Sequence, residues 1–298
     1  MKEQELKTEG RLFGSQTFHG RNLFILLQNE AGKHLVSYAD YQGLKLSEID
    51  LLKSLHTFTL MKRVFKDKKF SLISFDATGW CSSWRHKTVS GPMGAVFDKL
   101  YNTTLFSKSQ QIFERSLLYL HDSANLFFWD GQCGGIEGLI QYFWTFIYRH
   151  QSLSAISGMY HVERMLIKGD DLRVALVIDP ENMNGLSDAD FSQSLMKEFS
   201  THMEDFGHTI KVEESYCSTS CLAFSKVFRI DDVILPAITR KALKIHDHTN
   251  AMINTLDQHI GSIYSNAHSC ALYGFSPIGL FFVATFKAVI FSCNPFRI

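Results

Sequence analysis

The sequence lacks the segments that mark secreted, membrane-spanning or extended proteins. Proline is scarce, at 5 in 298 residues, and there is no low-complexity tract, which argues against long disordered linkers. The N-terminal residues have no apolar core, so they do not resemble a signal peptide. No uncharged apolar run reaches the roughly 18 residues that a membrane-spanning helix needs. We therefore expect a globular chain without a membrane span, long enough for one large domain or two.

Cysteine pairs with the spacing of metal or redox motifs are also missing. None of the 6 cysteines belongs to a CxxC motif. His208, Cys217 and Cys221 could be considered for a zinc site, but a fourth ligand at the usual spacing is lacking. Reduced thiols are therefore the better prediction.

The chain has no net charge, because 30 Lys and Arg residues balance 30 Asp and Glu residues. The field of the whole molecule therefore does not indicate a nucleic-acid partner. Positive charge is concentrated locally in residues 62–69. This stretch is explained equally well as part of a nucleic-acid channel or as a solvated loop before a strand.

Acidic residues follow two strand-like apolar segments. Residues 70–76 form a predicted strand that ends at Asp76. Residues 165–178 are predicted as two short strands joined by a tight Gly169-Asp170-Asp171 turn. Carboxylates at the ends of two strands are a typical way to hold a pair of Mg²⁺ ions for phosphoryl transfer. The alternative for each Asp is an ordinary turn or capping residue.

Between these acids lies a glycine-rich segment, residues 131–138, with glycine at positions 131, 134, 135 and 138. Such a loop lets the main chain approach a nucleotide closely and directs amide groups towards phosphate. Its spacing matches neither a dinucleotide-binding fingerprint nor a phosphate-binding loop that ends in Gly-Lys-Ser/Thr. The alternative is a helix-entry turn in which the glycines serve packing.

The remaining pattern predicts an α+β fold in which a small antiparallel sheet is backed by helices. A helix that begins at Ser187 and stops at Gly207 has the clearest capping signals. Trp80, Trp84, Trp129 and Trp144 are more simply explained as core residues than as base-stacking platforms. The other predicted elements are helices at 112–119 and 136–148, a strand at 209–213, a hairpin of 222–228 with 233–235, helices from 239 onward, and a buried helix or strand pair within 271–293.

Five ordered blocks resemble the large polymerase protein of non-segmented negative-strand RNA viruses. Residues 131–141 resemble its motif B, and residues 2–13 resemble its motif F. Residues 76–85 resemble motif A, and residues 168–171 lie where the family has motif C. Residues 211–218, followed by 224–226, resemble motif D continuing into motif E. Most of the chain is covered, to about residue 267.

This resemblance implies a right-hand polymerase palm with part of the fingers. Residues 1–70 would be partial fingers that include motif F, residues 71–238 the palm with motifs A to E, and residues 239–298 a truncated helical segment after the palm. The implied activity is that of an RNA-directed RNA polymerase, which replicates and transcribes viral RNA with two Mg²⁺ (or Mn²⁺) ions. Motif C departs from the family, since most members have Asn where this chain has Asp171. Motif A departs too, because Gly79 and Cys81 replace the usual Lys and Asn.

The resemblance also implies roles for individual residues. The implied catalytic residues are Asp76, Asp170, Asp171 and Lys211, of which the three carboxylates would bind metal. Lys211 could protonate the pyrophosphate leaving group as a general acid. The implied nucleotide-binding residues are Lys2, Lys7, Arg11, Arg85, Gly134, Gly135 and Glu137. Of these, Arg85 could equally be structural, and Glu137 could orient the glycine loop instead of touching substrate.

The implied partners are an RNA template, nascent RNA, ribonucleoside triphosphates and a viral phosphoprotein-like cofactor. The expected location is the host cytoplasm, in association with virions, with the nucleus as a further possibility. A first alternative is an inactive viral remnant that serves only as an RNA-binding or protein-binding module. A second alternative is a reverse transcriptase or a positive-strand RNA polymerase that shares the palm. The Gly134-Gly135-Ile136-Glu137-Gly138 loop weighs against this second alternative.

Overall fold

The computed structural model describes residues 16–39, 42–87, 91–121, 126–157, 160–183, 185–225, 227–231, 233–235, 245, 255–271 and 276–293. The chain divides into two compact units. One consists of residues 13–225, and the other consists of residues 1–12 with 226–298. Helices and antiparallel sheets are both present, so the predicted α+β class is confirmed.

The larger unit is a helix-rich body around a small sheet. Its described helices are α1 (Phe18–Tyr38), α2 (Glu48–Val64), α3 (Trp80–Ser83), α4 (Gly91–Tyr101), α5 (Leu105–Lys108), α6 (Gln111–Glu114), α7 (Gln141–Ser157) and α8 (Asp188–Asp205). Its described strands are β1 (Lys69–Phe75), β2 (Leu117–His121), β3 (Leu126–Asp130), β4 (His161–Lys168), β5 (Asp171–Ile178), β6 (Tyr216–Ser218) and β7 (Cys221–Phe224). The predicted strand before Asp76 and the predicted hairpin after residue 165 are thus confirmed.

The central sheet is antiparallel, with strand order β4-β5-β1-β6. β1 pairs with β5 along its whole length, from Lys69 opposite Ile178 to Phe75 opposite Leu172. Side chains alternate between the two faces of a strand, so odd positions of β1 and even positions of β5 share one face. The apolar side chains on this face belong to the main hydrophobic core, where Phe75 stacks on Phe199 of α8 with ring centroids 3.7 Å apart. The opposite face is therefore left for polar groups at the end of β1.

Aromatic side chains fill the core beside this sheet. Trp80, Trp84 and Trp144 are buried, and the Trp84 and Trp144 rings stack with centroids 5.8 Å apart. The prediction that these tryptophans are core residues is confirmed. For Trp129 on β3 it is wrong, because 44% of that residue is exposed to solvent.

Helix α8 has the predicted caps. The Ser187 hydroxyl accepts a hydrogen bond from the backbone N–H of Asp190 at 3.2 Å. At the other end, Gly207 has a φ of +82°, and its N–H donates to the carbonyl of Glu204. The N–H of His208 donates to the carbonyl of Met203, which completes a Schellman motif. The helix end therefore holds the backbone of His208 in a defined position.

Two helix predictions were wrong in extent. The predicted helix at 112–119 ends at Glu114, and the Leu-Leu-Tyr-Leu run that follows forms β2 instead. The predicted helix at 136–148 begins only at Gln141. Gly138 and Ile140 have φ values of +88° and +42°, and a right-handed helix cannot pass through such residues.

Two strand predictions also need correction. Residues 209–211 pair only briefly with residues 76–78, around one bridge between Ile210 and Ala77, and a 3-10 turn follows at Val212–Glu214. Residues 222–228 are not one strand, because Ser225 has a φ of +48° and interrupts it. In both segments the apolar pattern is compatible with a strand, but a turn interrupts the strand: the 3-10 turn in the first segment and the positive φ of Ser225 in the second.

In its described residues, the smaller unit has a hairpin and two helices. Strands β8 (Val227–Ile230) and β9 (Val233–Leu235) pair antiparallel, with Asp231 at φ +47° in the turn. Helices α9 (Leu256–Ala271) and α10 (Pro277–Cys293) pack through a small core of Ile245, Ile263, Ala267, Cys270 and Ala284. The helical prediction for this part of the chain is therefore confirmed in the described residues.

The prediction that residues 271–293 are buried is wrong for most of α10. Of its residues, Ala284 and Ala288 are buried, whereas Ile278, Phe282 and Phe286 are 78%, 73% and 63% exposed. A strip of small residues therefore faces the neighbouring helix together with Leu280 and Phe291, whereas the three exposed apolar side chains point outward. Among the helices that the structure describes, none is both long and apolar enough to cross a bilayer.

Candidate active site

Strands β1 and β5 bring two of the predicted acidic residues to the same edge of the sheet. Phe75 is paired with Leu172, and one further step in this register places Asp76 opposite Asp171. Directly opposed residues in an antiparallel pair have Cα atoms about 5 Å apart and direct their side chains to the same face.

The third acid, Asp170, lies at the tip of the β4–β5 hairpin. Lys168 pairs with Asp171, so Gly169 and Asp170 are the two loop residues. The φ angle is positive at Gly169, at +67°, but not at Asp170, as in a type II′ turn. A Cβ atom at Gly169 would lie 2.9 Å from the Nε2 atom of Gln141. The turn is therefore packed against the start of α7, and this contact holds Asp170 in place.

Asp170 is in an electrostatic environment that disfavours its charge. Its side chain reaches solvent on one side, but protein surrounds the carboxyl group on the others and displaces water. This loss of hydration, followed by repulsion from Asp171, Asp76 and Glu137, raises the pKa of Asp170 to about 6. Carboxylates that repel one another at one site are typical of a cation-binding or catalytic centre.

The carboxylates fit a cation that takes its other ligands from elsewhere. Among the described residues, no three His, Cys, Asp or Glu side chains form a ready metal-binding group. Asp76 and Asp170 still offer carboxylate oxygens from two positions that are close enough for the charge of Asp76 to affect the pKa of Asp170. Mg²⁺ typically binds through one or two carboxylates, with waters and substrate phosphates completing its octahedron. The chemistry of this pair therefore fits Mg²⁺ or Mn²⁺ bound together with a phosphate-bearing substrate.

Lys211 lies against Asp76. Its Nζ atom is 3.4 Å from Oδ2 of Asp76 and 3.1 Å from Oε1 of Glu214. Burial raises the pKa of Asp76, and the nearby Lys211 ammonium opposes this increase. The hydrogen bond to Glu214 is the main cause that raises the pKa of Lys211, so its ammonium group stays protonated at neutral pH. The predicted general acid and the predicted metal-binding Asp76 are thus neighbours.

Arg173 is a site residue that the sequence analysis missed. Its Nη2 atom is 3.3 Å from Oδ1 of Asp171, and its Nη1 atom donates to the carbonyls of Phe75 and Leu172. Its Nε atom donates to the carbonyl of Ala223. One oxygen of Asp171 is therefore already held by Arg173, which makes Asp171 a weaker candidate ligand than Asp170. A lone Arg within the apolar β5 strand was the available signal.

The glycine-rich segment packs on the short helix α3, which follows Asp76. The N–H of Gly135 donates to the carbonyl of Cys81 at 2.9 Å. A Cβ atom at Gly134 would lie 2.3 Å from the carbonyl oxygen of Ser82, and one at Gly135 would lie 2.0 Å from the Trp144 ring. Both glycines are thus required for close packing, as the alternative explanation proposed. Contact of Gly134 and Gly135 with a nucleotide remains a prediction.

Of the other predicted nucleotide-binding residues, Arg85 and Glu137 are described by the structure and three are not. Arg85 donates to the backbone carbonyls of Ser82 and Trp84, which gives it a structural contact at the end of α3. Glu137 is half-buried, and its charge is felt by Asp170. Lys2, Lys7 and Arg11 lie outside the described residues.

Residues 1–296 of the chain match the family described as Mononegavirales RNA dependent RNA polymerase. The chain belongs to this family. The resemblance inferred from five sequence blocks is thereby confirmed.

Curated relatives are longer proteins named RNA-directed RNA polymerase L. The chain is 23% identical to that of Tibrogargan virus (strain CS132), in a match that covers 93% of this chain and 14% of the relative. It is 24% identical to that of Rice yellow stunt virus, with coverage of 99% and 16%. The protein of Hirame rhabdovirus (strain Korea/CA 9703/1997) is 26% identical, with coverage of 76% and 13%. The chain thus spans about one seventh of the length of these relatives.

His208 is a second residue whose role the sequence analysis missed, since it was considered only for zinc. It is 1% exposed, with Nδ1 at 2.9 Å from Oγ of Ser83 and Nε2 at 3.1 Å from Oε1 of Gln151. Burial lowers the pKa of His208 to about 4, so the imidazole is neutral at pH 7. Nothing in a single His between Gly207 and Thr209 announces this environment.

This buried imidazole predicts a loss of stability in acid. The pKa of His208 is about 4 in the folded chain, against the ordinary value of 6.5 that applies in the unfolded chain. Between pH 4 and pH 6.5 the unfolded state therefore binds a proton that the folded state does not. Stability is present above pH 6.5 and is lost as pH falls towards 4. Between pH 7.5 and pH 5 the His208 contribution should decrease by about 2 kcal/mol.

Urea unfolding gives the free energy of unfolding of the wild-type chain and of His208→Asn at pH 7.5 and at pH 5. The difference between the two proteins should change between these pH values by the His208 contribution. The opposite titration of Asp170 is common to both proteins and cancels. His202→Asn, at an exposed position of α8, is the matched control and should show no such change. A stability difference that stays constant across this pH range would contradict the prediction.

Proposed function

We propose that this chain is the palm, with part of the fingers, of an RNA-directed RNA polymerase of a negative-strand RNA virus. The observation that carries the proposal is the meeting of Asp76, Asp170 and Lys211 at one edge of an antiparallel sheet, in a chain of the polymerase family. Its substrates would be ribonucleoside triphosphates, a template RNA and the growing 3′ end.

In this proposal Asp76 and Asp170 would hold two Mg²⁺ (or Mn²⁺) ions, and Asp171 would either contribute a further oxygen or only tune the charge. When bound, the ions would activate the 3′-hydroxyl and neutralise the triphosphate. Lys211 holds a proton on Nζ beside Asp76 and donates it to the departing pyrophosphate. The hydrogen bond to Glu214 keeps this proton in place until the leaving group develops charge.

The remaining assignments are part of the same proposal. Amide groups of Gly134 and Gly135, together with Arg85 and Glu137, would line the nucleotide site. Lys2, Lys7 and Arg11 would neutralise the triphosphate from the fingers side. A viral phosphoprotein-like cofactor and a location in the host cytoplasm, or the nucleus, complete the proposal.

Template-directed incorporation of labelled ribonucleotides into an RNA primer tests the proposal. The purified chain, and a longer polypeptide that contains it, should extend the primer with Mg²⁺ and stop when EDTA is added. Asp76→Asn should lose extension. Asp179→Asn should retain it, because Asp179 follows the opposite end of β5 and is exposed in an ion pair with Lys68.

Other outcomes of this experiment would count against the proposal. Extension that persists in EDTA, or that Asp76→Asn leaves intact, would exclude a two-carboxylate metal mechanism. Incorporation of deoxyribonucleotides at the same rate would favour a reverse transcriptase. RNA binding without any incorporation by either polypeptide would favour the inactive remnant.

A further inference from the structure

A short antiparallel ladder joins the loop after Asp76 to the segment before Lys211. The N–H of Thr78 donates to the carbonyl of Thr209 at 2.8 Å, and Ala77 forms a bridge with Ile210. The N–H of Lys211 donates to the carbonyl of Asp76 at 2.9 Å. Lys211 and Asp76 are therefore the last pair of residues in this ladder, and their side chains form the ion pair.

The register of the ladder decides where the Lys211 side chain points. Successive side chains of an extended segment alternate in direction, so a slip by one residue would turn Lys211 to the opposite face. A pairing of only a few residues is marginally stable by itself. Some other contact must therefore hold the register.

His208 makes that contact at the opposite end of the ladder. In the same register it faces Gly79, whose carbonyl accepts the N–H of Ser83 in the first turn of α3. The imidazole reaches past Gly79 to hydrogen-bond the Ser83 hydroxyl, while its other nitrogen contacts Gln151 of α7. One side chain thus connects the loop after Asp76, helix α7 and the Lys211 segment.

The surroundings of His208 leave it little freedom. The Schellman end of α8 holds its backbone, and the rings of Trp84 and Tyr148 meet its ring edge-to-face at 4.7 Å and 5.1 Å. Ser83 is also held, because its backbone N–H donates to the carbonyl of Gly79. A movement of the Lys211 segment along the ladder would break two hydrogen bonds in a site closed to water.

We propose that His208 is a positioning residue that sets the register of Lys211 against Asp76 through its hydrogen bond to Ser83. The structural part of this inference concerns the folded chain alone. Its catalytic meaning rests on the proposed function, in which Lys211 acts as the general acid. His208 itself touches neither substrate nor metal.

Hydrogen exchange in the 298-residue chain tests the structural part. His208→Ala and Ser83→Ala should each speed exchange of the Thr78 and Lys211 amides by about tenfold, as expected for a lost hydrogen bond. His208→Asn, whose amide lies where Nδ1 was, should restore slow exchange. His208→Gln, whose amide lies nearer the position of Nε2, should not. His202→Ala, at the exposed position of α8, is the control for loss of an imidazole.

Primer extension by the same variants tests the catalytic part. Ser83→Ala and His208→Ala should lower kcat by about tenfold and leave the KM for the nucleotide within about twofold, because Lys211 acts in the chemical step. His208→Asn should recover most of kcat. A general loss of folded protein would lower the active fraction in all variants and would not follow this Asn-against-Gln pattern.

The two readouts separate failure of this inference from failure of the proposed function. Altered exchange, with no nucleotide incorporation by either this chain or the longer polypeptide, would support the register role and contradict the polymerase role. Normal exchange at Thr78 and Lys211 in Ser83→Ala would overturn the inference, whatever the activity. If His208→Ala does not fold, Ser83→Ala decides the question, because it removes a single hydroxyl group.

Discussion

Replacement of Asp170 by Asn is expected to abolish nucleotide incorporation and, at the same time, to stabilise the fold. Activity should decrease by about 10³-fold or more, because the variant loses a carboxylate that would stabilise charge in the transition state. Stability should rise by about 1–2 kcal/mol at pH 7.5, a value reduced for the solvent access of this side chain. Opposite effects on activity and stability are typical of residues selected for function.

The stabilising effect has a defined pH dependence. The pKa of Asp170 is about 6 in the folded chain, against the ordinary value of 3.8 that applies in the unfolded chain. The folded state therefore binds the proton more tightly than the unfolded state does. The favourable contribution is complete below pH 3.8 and is lost as pH rises through 6. Since Asn does not titrate, the advantage of Asp170→Asn should appear above pH 4 and be complete above pH 7.

Urea unfolding at pH 4 and pH 7.5, with primer extension at pH 7.5, measures both effects. Asp179→Asn is the control, because this exposed residue follows the other end of β5. An Asp170→Asn variant that is less stable than the wild type at pH 7.5 would show that Asp170 is an ordinary turn residue. Retained activity would remove Asp170 from the site.

Replacement of Gly135 by Ala is expected to destabilise the chain by about 3 kcal/mol through overpacking. The new methyl group would lie 2.0 Å from the Trp144 ring and 3.0 Å from the carbonyl oxygen of Cys81. Neither can move freely, because Trp144 is buried and stacked on Trp84, and the Cys81 carbonyl accepts the Gly135 N–H. The loop after Asp76 should therefore shift together with the glycine segment.

A matched substitution at Gly138 separates packing from backbone strain. Gly138 has a φ of +88°, and beyond its chain neighbours no described atom lies within 4 Å of the point that a Cβ would occupy. Gly138→Ala should therefore cost about 1–2 kcal/mol from strain alone. Urea unfolding of both variants gives the comparison.

A second substitution tests the clash itself. Adding Trp144→Phe to Gly135→Ala should recover part of the loss, because it removes the ring atoms that the new methyl group would meet. Equal losses at Gly135 and Gly138, with no recovery, would contradict the packing explanation.

Local signals in the sequence were sufficient where the chain itself determines its conformation. The strand before Asp76, the Gly-Asp turn and the Ser187 and Gly207 caps all depend on residues within a few positions of one another. The blocks around Asp76, Gly134 and Asp170 were sufficient for the family, and residues 1–296 match it.

Elements whose ends depend on distant neighbours were predicted less well. The glycine segment continues to Ile140 at φ +42° before α7 begins, a conformation that a β-branched residue does not favour by itself. Earlier in the segment, Gly134 and Gly135 are fixed by distant residues, namely Cys81, Ser82 and Trp144. The exposure of Phe282 and Phe286 was likewise hidden, since an apolar helix can direct either its small or its large residues towards its neighbour.

By itself, the sequence determined the α+β class, the polymerase family, the acidic residues at two strand ends and the caps of α8, because these follow from short-range patterns. Only the tertiary structure decided that Arg173 holds Asp171 and that His208 connects Ser83, Gln151 and the Lys211 segment. Ser83 and His208 are 125 residues apart in the chain. Their contact arises from the packing of α3, α7 and α8, which no local pattern records.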